Sequence, residues 1–438
     1  MTSELPDGPA LSAADTTFRW FARPYDFLEE CAAAHGDTFA LRFTRFGTHV
    51  VVSHPDDVRD VLGGDPAVLH AGRGNALLEP ILGRHSLLLM DGDRHMTERA
   101  LLQPIFRSDR LPRYAALVAD ATRRWTAAWN GGGTVGVQRT AIGISREVIL
   151  RAALQPTERE LERLGTLIDR VMALVGTNAT FDGDATDARL RERFQATRAT
   201  LDAALQEHLD RRRRDRTGGG DDILSLLAAS GEKLSDDAVR DELLTLILAG
   251  HETTASSITW ALLLLHAAPE ALRHALAELD ERADVEGERM AGLPYLTAVC
   301  LETLRMRPVI PVVSRELQRS FRLGGRTLPA GVFVTPCAYL AHRREASFPE
   351  PEAFRPERFL GQRPSPNVYF PFGGGVRRCI GMSFALLEMQ IVLGMLLRQF
   401  RFAPVDGGPP RATRRGVTIV AAGGGAMHAE RRRSAHGG

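Results

Sequence analysis

The run Phe372-Gly373-Gly374-Gly375-Val376-Arg377-Arg378-Cys379-Ile380-Gly381 carries more information than any other ten residues of the chain. Glycine has no Cβ, so three in a row let a backbone approach a large flat ligand closely. The last residues of the run are expected to open a helix that continues to about Phe400, which places Cys379 at a helix N-terminus. Free N–H groups and the dipole at such a terminus favour a thiolate. The bland alternative, a buried cysteine after a glycine turn, suits a lone cysteine but not one in this context. A dinucleotide-binding G-x-G-x-x-G counted from Gly373 and Gly375 fails, because Arg378 stands where the third glycine belongs. No strand–loop–helix unit with a later acidic residue surrounds it either.

A thiolate held this way can be an axial ligand to haem iron, pushing electron density that helps O–O cleavage. Arg377 can meet a negative group such as a haem propionate. With these residues in view the chain resembles the cytochrome P450 family. That family's haem loop, F-G-x-G-x-[RH]-x-C-x-G, is matched at Phe372, Gly373, Gly375, Arg377, Cys379 and Gly381. Ala385 and Glu388 continue the pattern in the following helix. Ala249-Gly250-His251-Glu252-Thr253-Thr254 matches the oxygen-activation segment of a long central helix. Glu302-Thr303-Leu304-Arg305 matches E-x-x-R, and Pro356-Glu357-Arg358-Phe359 matches the segment before the haem loop. His95 to Arg99 resembles the H-x-x-x-R pair of an upstream helix. E-x-x-R alone is a weak signal, but the ordered set is a strong one. The similarity spans roughly residues 20 to 425.

The central segment has its own physical logic. Glycine inside a helix costs about 1 kcal/mol against alanine, so Gly250 needs a reason. A threonine hydroxyl can bond a carbonyl one turn back and open the helix locally. By resemblance, Ala249 and Gly250 line a groove that holds dioxygen, Thr253 hydrogen-bonds to it, and Glu252 relays protons from water. Glu252 and Thr253 are thus the candidate catalytic residues. The His251-Glu252 pair is not half a zinc site, because H-E-x-x-H needs a second histidine where Ala255 stands.

The resemblance also assigns the cofactor contacts. Cys379 is the iron ligand of haem b. His95, Arg99, Arg315 and Arg377 are the candidates for the two propionates, arginine being suited to bidentate carboxylate binding. Phe372, Gly373, Gly381 and Ala385 complete the cofactor-binding set with Ala249 and Gly250. Glu302 and Arg305 lie at i and i+3 on one helix face and can pair. With Arg358 they match a buried charge triad that braces the loop carrying Cys379 and takes no part in catalysis. One departure is Ala341-His342-Arg343-Arg344, where the family often has an acid at the last position; it puts local salt bridging in doubt.

Outward from these motifs, 438 residues exceed the usual single-core size. The net charge of +1 argues against a general nucleic-acid binder. The cysteines, Cys31, Cys300, Cys337 and Cys379, are far apart and form no C-x-x-C, which excludes a zinc ribbon and a disulfide framework and fits a reducing cytosol. Residues 1–19 are polar and acidic, lack a signal peptide, and read as a flexible segment. No run reaches the ~20 apolar residues of a membrane span.

The longest helical pattern runs from about Ser235 to Ala268, with Ser235 as N-cap and Pro269 as stop. Asp26 to Ala34 reads as a helix, and Thr38 to Val52 as two strands. After Arg307, Val309 to Val313 and Val332 to Thr335 read as short strands. Two irregular stretches, His70 to Arg84 and Thr177 to Asp187, interrupt the helical part. Arg211 to Arg214, with the residues to Gly220, reads as a solvated charge run. Residues 426–438, rich in Gly, Arg and His, read as a disordered tail. The expected architecture is one P450 domain over 20–425, mainly α, with a smaller β-rich part formed early and late in the chain.

The resemblance implies a haem–thiolate monooxygenase that hydroxylates or epoxidises a small hydrophobic molecule in secondary metabolism. The chain contains no flavin or reductase module, so electrons are expected from a ferredoxin and an NAD(P)H-dependent ferredoxin reductase, docked near Arg377 and Arg378. A cytoplasmic protein without a membrane anchor is expected. The pocket ceiling is expected from His70 to Met90, Met172 to Asp187, Leu243 to Ala249 and Val309 to Val313. Rival readings are a peroxygenase or haem-dependent isomerase on the same fold, and, more remotely, a haem-binding sensor; the intact Glu252-Thr253 pair argues against the first.

Overall fold

The long apolar pattern forms a single helix, Asp236–His266, in the computed structural model, which describes residues 5–175, 188–214, 222–228, 234–405 and 411–432. Ser235 caps it, its hydroxyl accepting the N–H of Ala238 at 3.2 Å, and Asp236 and Asp237 meet the positive end of the dipole. At 1.5 Å per residue its 31 residues extend about 46 Å. It packs against Val137–Leu154, Pro294–Met306 and Met382–Gln399, and these helices share the largest apolar core. Between Asp241 and Leu265 every residue is buried except Ala249, Gly250 and Thr253.

The β-rich part joins the two ends of the chain. Its largest sheet has five strands in the spatial order Thr38–Phe43, Gly47–Val52, Phe333–Pro336, Arg315–Leu317, Leu69–His70. Gly47–Val52 runs parallel to Phe333–Pro336, with Val50 opposite Val334. That pairing fixes where Arg315 stands, because Arg315 is itself opposite Val334 on the other side.

Three expectations need correction. Residues 426–432 are not a disordered tail: Ala426–Arg431 is the middle strand between Gly133–Gly136 and Phe400–Pro404. Met427 and Ala429 are fully buried; a two-residue alternation was hidden among glycines and arginines. Residues 5–19 are ordered against the sheet rather than flexible. Asp7 O accepts the N–H of Ala40 at 2.9 Å, and Ser12 caps a helix over Ala13–Ala22. Val309 to Val313 is not a strand: Pro308 and Pro311 lack the donor a ladder needs, and only an isolated bridge joins Val312 to Cys337. The most membrane-like helix by length and composition is Met382–Gln399, and 61% of it is buried in the core. Thr177 to Asp187, and the part of the charge run beyond Arg214, lie outside the described residues.

Candidate functional site

The glycine-rich loop is held from below by a charged brace. Arg305 donates to both oxygens of Glu302, at 2.7 and 2.9 Å, and both residues are fully buried. Its remaining donors reach His342 O at 2.9 Å and Pro351 O at 2.7 Å. Glu302 also accepts the N–H of Arg355 at 2.9 Å and the Arg358 guanidinium at 3.3 Å. Tyr369 donates to Leu301 O, and His342 accepts the N–H of Phe370. Residues 349–370 are thereby fixed to the helix Pro294–Met306. Arg344, the departure from the family pattern, finds its acid elsewhere and pairs with Asp37.

The loop itself turns on two glycines. Gly373 and Gly375 have φ of 65° and 61°, a region that favours glycine. A Cβ on Gly375 would sit 1.9 Å from Leu62 O, so its close approach is to the helix Pro55–Leu62 and not to a flat ligand. Cys379 donates its N–H to Phe372 O at 2.9 Å. The expected helix starts later, at Met382, so Cys379 lies in the loop ahead of it, with the Gly381 N–H turned to the sulfur. Ala385 is in the first turn of that helix, its N–H bonded to Gly381 O at 2.9 Å. Cys379 is the one exposed cysteine; Cys31, Cys300 and Cys337 are buried. The surrounding protein nonetheless pushes its thiol pKa up, while the Gly381 N–H, Arg99 and Arg378 pull it down.

Beside the loop two arginines and a histidine come together. A shallow recess is lined by His95, Arg315, Arg377, Asp91 and apolar residues that include Leu62 and Leu69. Asp91 is the one carboxylate among the described residues that line it. Burial, with Arg377 and Arg99 nearby, pushes His95 down to about 4. Burial and Arg377 push Arg315 down to about 10. Arg99 stands apart, donating to Arg378 O at 2.6 Å and facing Cys379. Arg377 is bonded to Asp91 at 2.5 Å and to the carbonyls of Leu87 and Met90, whereas Arg378 is exposed.

On the central helix, Ala249, Gly250 and Thr253 form a single accessible notch on an otherwise buried stretch. Thr253 donates its hydroxyl to Ala249 O at 2.8 Å, the one-turn-back bond its position suggested. Glu252 turns away toward the C-terminal hairpin. Its Oε1 is 3.1 Å from Arg415 Nε, close enough for an ion pair but without hydrogen-bond alignment. Burial raises the Glu252 pKa and Arg415 opposes the rise. Arg415 and Asp91 escaped the sequence reading. The first lies in an arginine-rich hairpin with no distinguishing spacing. The second precedes the H-x-x-x-R pair by four residues, and only the fold brings it to Arg377.

The segment from His70 to Met90 is tied down by the central helix and its neighbour. Asp241 accepts the N–H of His85 at 3.1 Å, and Thr245 donates to Ser86 Oγ at 2.8 Å. Arg198 donates to Ile81 O at 2.9 Å.

The Cytochrome P450 family model matches residues 16–424 of the chain. The chain belongs to the cytochrome P450 family. It is 34% identical to cytochrome P450 135B1 of Mycobacterium tuberculosis, over 95% of this chain and 89% of that one. It is 32% identical to cytochrome P450 135A1 of the same organism, over 96% and 94%. Two solved structures share the fold. The haem domain of cytochrome P450DA superposes with a TM-score of 0.87 at 22% identity, covering 99% of each chain. A retinoic-acid-bound cyanobacterial cytochrome P450 gives 0.85 at 23% identity, covering 98% of this chain and 100% of its own.

The protein is therefore a cytochrome P450 monooxygenase with haem b as cofactor. The residues present fit that group. An accessible thiol is the donor that haem–thiolate chemistry requires. Buried Arg315 and the mostly buried Arg377 outnumber Asp91, the one carboxylate among the described residues of the recess, and neutral His95 adds a ring N–H, so the recess offers the positive charge and polar donors that propionates engage.

Proposed function

We propose that this P450 inserts one oxygen atom into a small hydrophobic organic molecule in secondary metabolism, by hydroxylation or epoxidation. Dioxygen, two electrons and two protons are consumed, and the second oxygen atom leaves as water. The observation that carries this reading is the notch at Ala249, Gly250 and Thr253 on a helix that is otherwise buried there. Bound haem supplies the iron at which dioxygen is reduced and cleaved.

The chain's own residues do the rest. Cys379 is the iron ligand, and His95, Arg315 and Arg377, with Arg99 close to the sulfur, offset the propionates. Phe372, Gly373, Gly381 and Ala385 shape the floor. Ala249 and Gly250 leave room above it. The Thr253 hydroxyl donates a hydrogen bond in the notch, and Glu252 passes protons inward from the side where Arg415 meets it. The electron donors are a ferredoxin and its NAD(P)H-dependent reductase, and the protein works in the cytoplasm. The segment from His70 to Met90 and the Leu243–Ala249 stretch form the pocket ceiling with Val309–Val313. The remainder of that ceiling, beyond Val175, lies outside the described residues.

The test has two stages. The reduced protein with carbon monoxide should give the Soret band of thiolate ligation, and Cys379→Ala should lose it. Screening of apolar compounds for a spin-state shift then finds ligands, and turnover with ferredoxin, reductase and NADPH should yield an oxygenated product. Product formed only with peroxide, or rearranged without oxygen uptake, overturns the monooxygenase reading of the site.

A further inference from the structure

One carboxylate joins two segments that lie just over 300 residues apart. Asp91 Oδ1 accepts the N–H of Ala71 at 2.8 Å and of Gly72 at 2.9 Å, and Oδ2 accepts the N–H of Arg73 at 3.3 Å. Arg377 of the glycine-rich loop donates to the same Oδ1 at 2.5 Å. His70 Nδ1 is 3.7 Å from Oδ2. A carboxylate has about four lone-pair sites, and this contact set uses that capacity. The turn is tight: a Cβ on Gly72 would meet Leu89 O at 2.3 Å and the Asp91 carboxylate at 2.7 Å. Asp91 is mostly buried, and it stands among His95, Arg315 and Arg377 in the recess.

Arg377 has five N–H donors in a planar fork. Those it gives to Asp91 and to the carbonyls of Leu87 and Met90 hold it to the 87–91 segment, and Arg377 itself lines the recess. The turn at 71–73, the roof segment that follows it and the Arg377 guanidinium are thus held by a single group.

We propose that Asp91 is a positioning residue for the haem: it anchors the Ala71–Arg73 turn to Arg377 and supplies the negative charge that offsets the cations facing the propionates. This rests on haem binding by the family and not on any choice of substrate or electron donor. Reduction of the ferric iron removes one positive charge from the site. A site made more positive therefore favours the reduced state.

The experiment compares the wild-type holoenzyme with Asp91→Asn and Asp91→Ala. Asparagine can still accept the turn's N–H groups but has lost the charge. Its ferric/ferrous midpoint potential, read by spectroelectrochemistry, should move to a more positive value. Asp91→Ala should also speed amide exchange at residues 71–73 by tenfold or more. A role in packing alone would lower stability and leave the potential where it was. An unchanged potential in Asp91→Asn overturns the proposal. A second measurement needs no variant: the amides of Ala71, Gly72 and Arg73 must exchange slowly in the wild-type holoenzyme. Fast exchange there overturns the proposal even if neither variant retains haem.

Discussion

Arg415 of the C-terminal hairpin reaches Glu252 of the central helix, Nε to Oε1 3.1 Å, although 163 positions separate them in the chain. Glu252 is buried and Arg415 is 44% exposed, so the pair links the helix interior to the protein surface. The contact places a charged, solvent-facing group at the acid proposed to carry protons.

The first prediction follows from the sign of each influence. Burial raises the Glu252 pKa and Arg415 lowers it. Arg415→Ala removes the lowering influence alone, so the carboxyl becomes harder to ionise. The limb of the pH–rate profile that belongs to Glu252 should move to higher pH by about a unit or less. Glu252→Gln should abolish that limb. A profile identical in wild type and Arg415→Ala, under saturating electron supply, removes Glu252 from the proton path.

The brace makes a larger energetic prediction. Glu302→Ala leaves the buried Arg305 and the Arg358 guanidinium without their carboxylate. Breaking one side of a buried pair costs about 3–5 kcal/mol. Thermal unfolding should fall accordingly, and the purified variant should hold little haem because residues 349–370 lose their anchor. Retention of full haem content with wild-type stability would contradict the bracing role.

Two glycines separate strain from collision. Gly361 has a φ of 69° and open space around its missing Cβ, so Gly361→Ala should cost only the roughly 1–2 kcal/mol of left-handed backbone. Gly375 has a φ of 61° and a backbone oxygen 1.9 Å from its Cβ position. No rotamer change relieves a clash with Leu62 O, so the loop or the helix Pro55–Leu62 must move. Gly375→Ala should lose haem affinity by tenfold or more in hemin titration, while Gly361→Ala keeps it.

A pH-dependent stability effect should come from Glu388. Burial pushes its pKa up to about 8, against a bond donated by Ser145 that pulls the other way. The unfolded value is near 4.3. Below both values the carboxyl is protonated in either state and exerts no penalty. As pH rises from about 4 to 8 the unfolded chain ionises first, and folding loses stability. Glu388→Gln removes that loss. One pKa unit is about 1.4 kcal/mol, so the variant should gain about 1 kcal/mol or more at pH 8 and nothing at pH 4. Denaturant melts at the two pH values check it.

Local sequence was enough for the central helix, the haem loop and the E-x-x-R pair, because each is written within a few consecutive residues. Ser235 caps its own helix, Arg305 is three residues from Glu302, and the notch residues lie within five positions. Other features were hidden because their partners are distant. The strand Ala426–Arg431 takes its meaning from Gly133–Gly136 and Phe400–Pro404 beside it. Pro308 and Pro311 kept an apolar run from becoming a strand.

What the amino-acid order determined by itself was the family, the fold class, the sulfur at Cys379 and the small residues opposite it in role. Covalent neighbours and helical periodicity are enough for such features. Tertiary structure alone decided that Asp91 would hold Arg377, that Arg415 would meet Glu252, and that Arg99 would face the sulfur side and leave the recess to His95, Arg315 and Arg377. Those outcomes depend on long-range packing, and a charged side chain carries no local mark of which distant partner the packing will bring to it.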